Sequence, residues 1–490
     1  WPNTNVCFLL KPPVAAQYRL LKREAQQKKH IVPVIWRAPG PGTFFSFTCR
    51  RLICILKSCA GGFFAWRKRP GWRDLAADSG KRSRFDWWLG GFCASRVFNG
   101  FVFMTYAGAL SALRQEWGMS ATQAGAVASG FQIGYAISLV VFSTLSDRVS
   151  PKKVYLWSMF AAGVSALGFA LFARGFTSAM VLHTFVGLAL GGTYTTGVMI
   201  IADQYAPRRR GMAVGFFIAS TSFGYACSLA VSGLALPFGG YRLSFLLTCL
   251  GPLAGWLIAL ATLKRTEVPV PAHRGEKRFS REVLQNRPAM LLIWGYSFHN
   301  WELQGMWSWT PAFMAACIGL AGAAHLKAAG SGANAAAFFH LVGVFASFSM
   351  GALSDRLGRG RVIMALALIS AACSLVFGWS IGCPLALVTA IGVIYAFSAL
   401  GDSPVFSAAL TEAVDPACLG SALGLRSLLG FGAAAFAPLA FGAVLDLSNP
   451  AVSGRQEYAA WGWAFGVLGL GGLGAAWVAL RFKKLSEDGS

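Results

Sequence analysis

The sequence predicts an all-α membrane protein of twelve transmembrane helices in two pseudo-symmetric six-helix bundles, and three observations carry that prediction. The first is composition. The 490 residues are 55% hydrophobic and 13% charged, with a mean hydropathy of +0.54, whereas a soluble globular chain carries roughly 25% charge. The second is rhythm. From Trp87 onward, apolar runs alternate with short polar breaks, and each run is about 20 residues, long enough to cross a hydrocarbon core as a helix. The third is an internal repeat. Gly351–Val362 (GALSDRLGRGRV) is echoed by Ser143–Val154 (STLSDRVSPKKV), which puts Asp147 and Asp355 in register 208 residues apart. Asp203 and Gly211 (DQYAPRRRG) recur as Glu412 and Gly420 (EAVDPACLG) at an offset of 209. Two landmarks at one spacing mark a duplication with halves of about 200 residues.

Taken in order, residues 1–86 form a basic arm that shows no sustained period. Residues 1–90 hold 17 Lys/Arg against 4 acids, a charge of +13 out of the total +24. The first residue is Trp1 and the first methionine is Met104. The arm is expected to be unstructured, either lying on anionic lipid or being a spurious upstream translation from a misplaced start. The twelve spans are expected at 87–113, 121–146, 154–173, 178–203, 211–234 and 241–263, then 288–316, 334–354, 361–381, 384–411, 420–444 and 459–481. The domains follow: a first bundle 87–263, a cytoplasmic linker 264–287, a second bundle 288–481 and a tail 482–490. Loops 2–3, 4–5, 6–7 and 8–9 with the tail carry 19 Lys/Arg, against 5 on the opposite side. The positive-inside rule therefore puts both termini in the cytoplasm of a multi-pass plasma-membrane protein, a bacterial inner membrane by expectation. The basic excess is read as loop topology and not as a nucleic-acid site. The 11 cysteines form no C-x-x-C pair and no His/Cys cluster at metal spacing, so neither a metal nor a disulfide framework is implied.

The loop stretches that define the repeat are similar to the signature of the major facilitator superfamily of transporters, G-x-L-x-D-R-x-G-R-R between spans 2 and 3, which recurs weakened between spans 8 and 9. Here the second copy is the better one. The first has Ser143 and Ser150 where the pattern has Gly, and Pro151 and Lys152–Lys153 where it has Arg. The resemblance covers residues 87–481. It implies inverted three-helix repeats within each half, a site between the halves at mid-depth, and transport by rocking of the halves. It also implies a cytoplasmic gate in which Asp147 and Asp355 face helix starts while Arg148 pairs with Asp203 and Arg356 with Glu412. On the residues alone, the same groups can be simple topogenic charge. The nitrate/nitrite porters of the superfamily have an Arg midway in spans 2 and 8, which both spans here lack, although the overall text loosely resembles that branch and the cyanate-permease-like members.

Ionisable groups at membrane depth cost a few kcal/mol each, so they face a cavity or a partner. Glu302 falls near the middle of span 7, with His299 three residues earlier on the same face and Asn300 and Gln304 adjoining. A carboxyl group and an imidazole at that depth can trade a proton, or can form a structural polar pair. Asp402 lies at mid-depth in span 10, where Pro404 can break the helix. Arg96 lies in span 1 with Asn99 one turn on, placed to hold an anion, to neutralise Asp402 or Glu302, or to reach the interface. Gln132 and His340 occupy equivalent places in spans 2 and 8 and are expected to face each other across a cavity. His183 is a weaker candidate at a close helix contact, and Arg426 is expected to pair with an acid on the cytoplasmic side.

No nucleotide-binding loop or nucleophile constellation is present in the sequence, so no cofactor is implied and an enzyme is disfavoured. GPLAG at 251–255 spells the core of the drug/proton antiporter signature, but in span 6 and not in span 5. The expected function is a secondary active transporter, expected to be a monomer, that moves a small anionic organic solute by alternating access with proton coupling through Glu302 and His299. A uniporter or exchanger without protons, and a non-transporting receptor on the same fold, stand as alternatives.

Overall fold

A computed structural model of the chain describes residues 86–146, 148–268, 281–415, 418–450 and 458–488. The basic arm up to residue 85, and Asp147, fall outside these. The helices of the first half are α1 (Trp87–Asn99), α2 (Thr105–Trp117), α3 (Ala121–Leu145), α4 (Pro151–Phe172), α5 (Phe176–Leu190), α6 (Tyr194–Gln204) and α7 (Pro207–Leu263). A short α8 (Arg281–Gln285) sits in the linker. The second half comprises α9 (Arg287–Leu320), α10 (His325–Leu357), α11 (Arg359–Phe377), α12 (Leu385–Gly401), α13 (Ser403–Ala413), α14 (Leu419–Ala434), α15 (Ala437–Ser448) and α16 (Gly462–Asp488).

Local chemistry sets most boundaries. Gly118 closes α2 in the left-handed region at φ 57, which costs glycine nothing. Ser120 then opens α3 with a capping box: its hydroxyl accepts from the Gln123 amide while the Gln123 side chain accepts from the Ser120 amide, both at 3.1 Å. Pro151 and Pro207 start α4 and α7, where the missing amide hydrogen is not needed. Asn286 caps α9 by accepting from the Ala289 amide at 3.0 Å.

Nine stretches among the described residues are long and apolar enough to cross a membrane, one of them (Arg209–Leu263) long enough to cross twice. The two remaining passes of the twelve are α1–α2, broken at its middle, and α9, which carries the polar run His299, Asn300, Glu302 and Gln304. Spans 5 and 6 are two helices, as expected, that meet without a loop: α7 has two legs joined at a sharp kink where Gly239 and Gly240 leave helical geometry, the latter at φ 58. Spans 1, 4, 10 and 11 are also pairs of helices, broken near Gly100–Met104, Gly191–Thr193, Asp402 and Ala435–Phe436. Span 8 begins at His325, nine residues ahead of its expected start.

The molecule is lipid-facing on the outside. Phe238, Leu234, Phe345 and Trp463 are exposed, while Arg96, Glu302, His299 and Asp402 are each no more than 3% exposed. Polar groups inside and apolar groups outside suit a chain whose solvent is hydrocarbon. The halves meet where α3 packs on α15 and where the first leg of α7 packs on α10. These seams run backbone to backbone. A Cβ on Gly125 of α3 would lie 2.2 Å from the Pro438 carbonyl oxygen, and one on Gly330 of α10 would lie 2.4 Å from that of Gly233.

Candidate functional site

In the first half, Arg96 of α1 is buried and held by hydroxyls. Its Nε donates to Thr221 Oγ1 of α7 at 2.8 Å and its Nη1 to Thr193 Oγ1 at 2.6 Å. Its guanidinium also lies over the Phe217 ring, 5.2 Å from the centroid. Asn99 Nδ2 donates to the same Thr193 at 3.1 Å. Arg96 therefore neutralises neither Asp402 nor Glu302, and among the described residues no carboxylate forms an ion pair with it. Arg426 of α14 is arranged similarly in the second half, with Nη1 donating to Ser407 Oγ at 2.6 Å and the guanidinium 4.1 Å from the Tyr296 centroid. The acid expected to partner Arg426 is replaced by a hydroxyl and a ring. Tyr194 lies within electrostatic reach of both arginines.

The acidic cluster is entirely in the second half. His299 Nδ1 of α9 lies 2.9 Å from Asp402 Oδ1, with both side chains buried. Asp402 can take this position because span 10 breaks there, between α12 and α13. Glu302 does not pair with His299. It sits beside Ser370 of α11 and Tyr395 of α12, and a Cβ on Gly472 of α16 would come within 2.7 Å of its Oε2. Three residues of helix turn about 300°, enough to send His299 to span 10 and Glu302 to the seam with spans 9 and 12. Asn300 packs against Gly430 of α14.

Between the halves lies a small cavity lined by aromatic rings together with Gln132, His183 and Gln304. Gln132 Nε2 donates to Gln304 Oε1 at 3.0 Å across the interface. His183 is sandwiched by Phe131 and Tyr106, with centroids at 4.8 and 4.6 Å, and its Nδ1 is 3.3 Å from the Val127 carbonyl oxygen. His340 does not face Gln132 as expected. It lines a neighbouring cavity, and Trp307, which borders both, stands between them at 5.0 Å from the His340 ring.

At the end carrying the most basic loops, the residue that bridges is Arg359 and not Arg356. Arg359 Nη2 lies 2.7 Å from Asp355 and 2.7 Å from Glu412, and Arg359 also donates to Ser354. Asp203 accepts from Gln204 Nε2 at 2.8 Å, where Arg148 was expected. At the opposite end Asp446 of α15, which the sequence did not single out, accepts from the Ala121 amide at 2.9 Å, the Thr122 amide at 2.7 Å and the Thr122 hydroxyl at 2.5 Å. These donors form the start of α3, so a carboxylate from one half caps a helix of the other. Tyr458 donates to the same carboxylate at 2.7 Å, and its ring lies 3.9 Å from the Arg114 guanidinium. The only sequence signal for this contact was an acid at the end of a span on a side nearly free of charge.

Comparisons with known proteins agree with this architecture. Residues 92–329 match the sequence profile of the Major Facilitator Superfamily. A Bacillus subtilis protein assigned as a niacin/nicotinamide transporter is 22% identical, over 68% of this chain and 82% of its own length. The hexuronate transporter of the same organism is 24% identical over 41% of this chain and half of its own length. The crystal structure of a bacterial homologue of the human lysosomal transporter Spinster, inward-facing and occupied, superposes with a TM-score of 0.65 at 17% identity, covering 83% of this chain and 98% of that one. The fold is that of the major facilitator superfamily, and the matched family and relatives are transporters, not enzymes. Neither relative is a nitrate, nitrite or cyanate carrier, so the finer branch suggested by the loop text finds no support here.

Proposed function

We propose, from the premise of a transporter fold with its polar residues turned inward, that this chain is a proton-coupled secondary carrier of a small carboxylated organic solute. It would sit in the bacterial inner membrane with both termini cytoplasmic. The observation that carries the reading is Arg96, a buried guanidinium supported by Thr193 and Thr221 with no ion-pairing carboxylate among the described residues. Burying such a charge is costly unless something neutralises it, and an incoming carboxylate would do so. The relatives support this, because niacin and hexuronate are both carboxylic acids.

The proton would be carried on the opposite half. His299 and Asp402 form a buried pair, and Glu302 is within electrostatic reach of Asp402. Ionisable groups that share a dry site interact strongly, so hydration of the cluster during rocking would give it a means to exchange a proton. Separating substrate and proton in different halves lets the halves' rocking couple the two.

The experiment compares accumulation with exchange in the same proteoliposomes. Glu302→Gln and Asp402→Asn are expected to abolish accumulation of a labelled carboxylate driven by a pH gradient while preserving exchange. Undiminished accumulation in both variants would sink proton coupling through this cluster and leave an exchanger or uniporter.

A further inference from the structure

Beside the central cavity lies a second one, bordered by α9, α10, α11 and α12, with Phe339, Phe377 and Tyr395 among its walls. Its polar content is small and unusual. Trp307, Thr310 and His340 all line it, and Trp307 Nε1, Thr310 Oγ1 and His340 Nδ1 are buried with no hydrogen-bond partner among the described residues. Thr310 and His340 are 6% and 4% exposed. Buried polar atoms are nearly always satisfied, so three orphans around one apolar void are a set of groups prepared for a ligand.

The route from this cavity to Arg96 is paved with rings. Tyr225 is edge-on to Trp307 at 5.7 Å and to His340 at 6.3 Å, and stacks on Phe103 at 4.3 Å. Tyr135 lies edge-on to Phe103 at 5.7 Å and next to the Arg96 guanidinium. A sugar acid would need a partner for every hydroxyl, and the walls here are mostly aromatic and aliphatic.

We propose that the cavity behind Trp307 is a subsite for the polar ring substituent of an aromatic carboxylate, with Trp307, Thr310 and His340 reading that substituent. The proposal rests on the reading of Arg96 as the carboxylate holder. Aromatic faces stack on aromatic faces, and the three orphans recognise a hydroxyl or a ring nitrogen that an unsubstituted ring lacks. A site built to bond such a group discriminates strongly against ligands without it.

The test is equilibrium binding of 4-hydroxybenzoate, benzoate and an aldonate to the purified full chain, its Thr310→Val and Trp307→Phe variants, and Arg96→Gln. Both subsite variants are expected to weaken 4-hydroxybenzoate binding about tenfold while leaving benzoate unchanged, which also shows the variants to be folded. The aldonate should bind at least tenfold more weakly than 4-hydroxybenzoate to the unaltered chain. Equal losses for both benzoates, no loss for either, or an aldonate binding as well as 4-hydroxybenzoate, would overturn the subsite while Arg96-dependent binding kept the carboxylate reading intact. If no carboxylate binds, or if Arg96→Gln changes nothing, the carboxylate reading fails and the subsite falls with it.

Discussion

The two ends of the molecule are tied in different ways. At the end poor in basic residues, the ties cross from half to half: Asp446 of α15 takes the first amides of α3, Leu439 N donates to Ser129 Oγ at 3.2 Å, and Gly125 meets the Pro438 backbone. At the basic end, the ties found among the described residues stay within a half. Arg359 joins α11 to α10 and α13, while Lys152 Nζ donates to the Thr266 carbonyl at 3.0 Å and Ser150 Oγ to that of Val268 at 2.8 Å. A sealed end and an end braced only internally describe a carrier closed to one side and free to part on the other. Under the proposed orientation, with the basic loops in the cytoplasm, the sealed side would be the outer one.

The comparison breaks first at Gly125. A Gly125→Ala methyl would sit 2.2 Å from the Pro438 oxygen and 2.9 Å from its carbonyl carbon, and backbone atoms cannot rotate away. Overpacking of this kind costs about 1–3 kcal/mol. Spin labels at the exposed positions Gln115 and Leu447 should report a longer separation, and transport should fall. Gly168→Ala is the control, since nothing lies within 4 Å of a Cβ there; an equal response from both would show that the seam is not the cause.

Asp446→Asn is the next largest perturbation. It removes the charge and turns an amide group toward donors. Charge-assisted bonds of this type are worth about 2 kcal/mol, which corresponds to a roughly thirtyfold shift in the ratio of closed to open outer ends. The same label pair reads it. An unchanged distance distribution would mean that the seam closes without Asp446.

Glu412→Gln should do least. Its side chain is 57% exposed where it meets Arg359, and exposed ion pairs contribute about 0–1 kcal/mol. The expected outcome is a small drop in thermal stability with the inter-half distances unchanged. A large opening or closing of the halves would show that the Arg359 network latches them together after all.

Much of this architecture is legible in the residues. Twelve passes, the repeat and the polar run of α9 follow from hydropathy and spacing, because each pass needs about 20 mostly apolar residues in helical conformation. The breaks are less legible. Gly191–Gly192, Pro404 and Pro438 hint at three of them, each proline standing second in the helix that follows the break, but none of these residues says that the break must occur. Pairing is harder still. His299 and Glu302 sit three residues apart on one helix, and only the packing of α11, α12 and α16 reveals that they turn to different neighbours. Arg359 stood in the loop motif but was passed over for Arg356, because which of two basic residues reaches Glu412 depends on the start of α11. Asp446 was invisible, since its partners are backbone amides 324 and 325 residues away.

The bend in α7 gives the molecule a gear. Its first leg lies against the other half, where Gly233 meets Gly330, and holds Thr221 on Arg96. Its second leg presses Gly251 and Gly255 against α1 and the turn after it, where added Cβ atoms would lie 2.6 Å from the carbonyl oxygens of Phe98 and Ser95. With only Gly239 and Gly240 between the legs and no slack loop, a tilt imposed on one leg cannot be absorbed there by coil. Close-packed backbone transmits displacement, and α1 is gripped by the two legs of α7. Any change in the seam between the halves is thereby delivered to Arg96 as a movement of the residues that hold it.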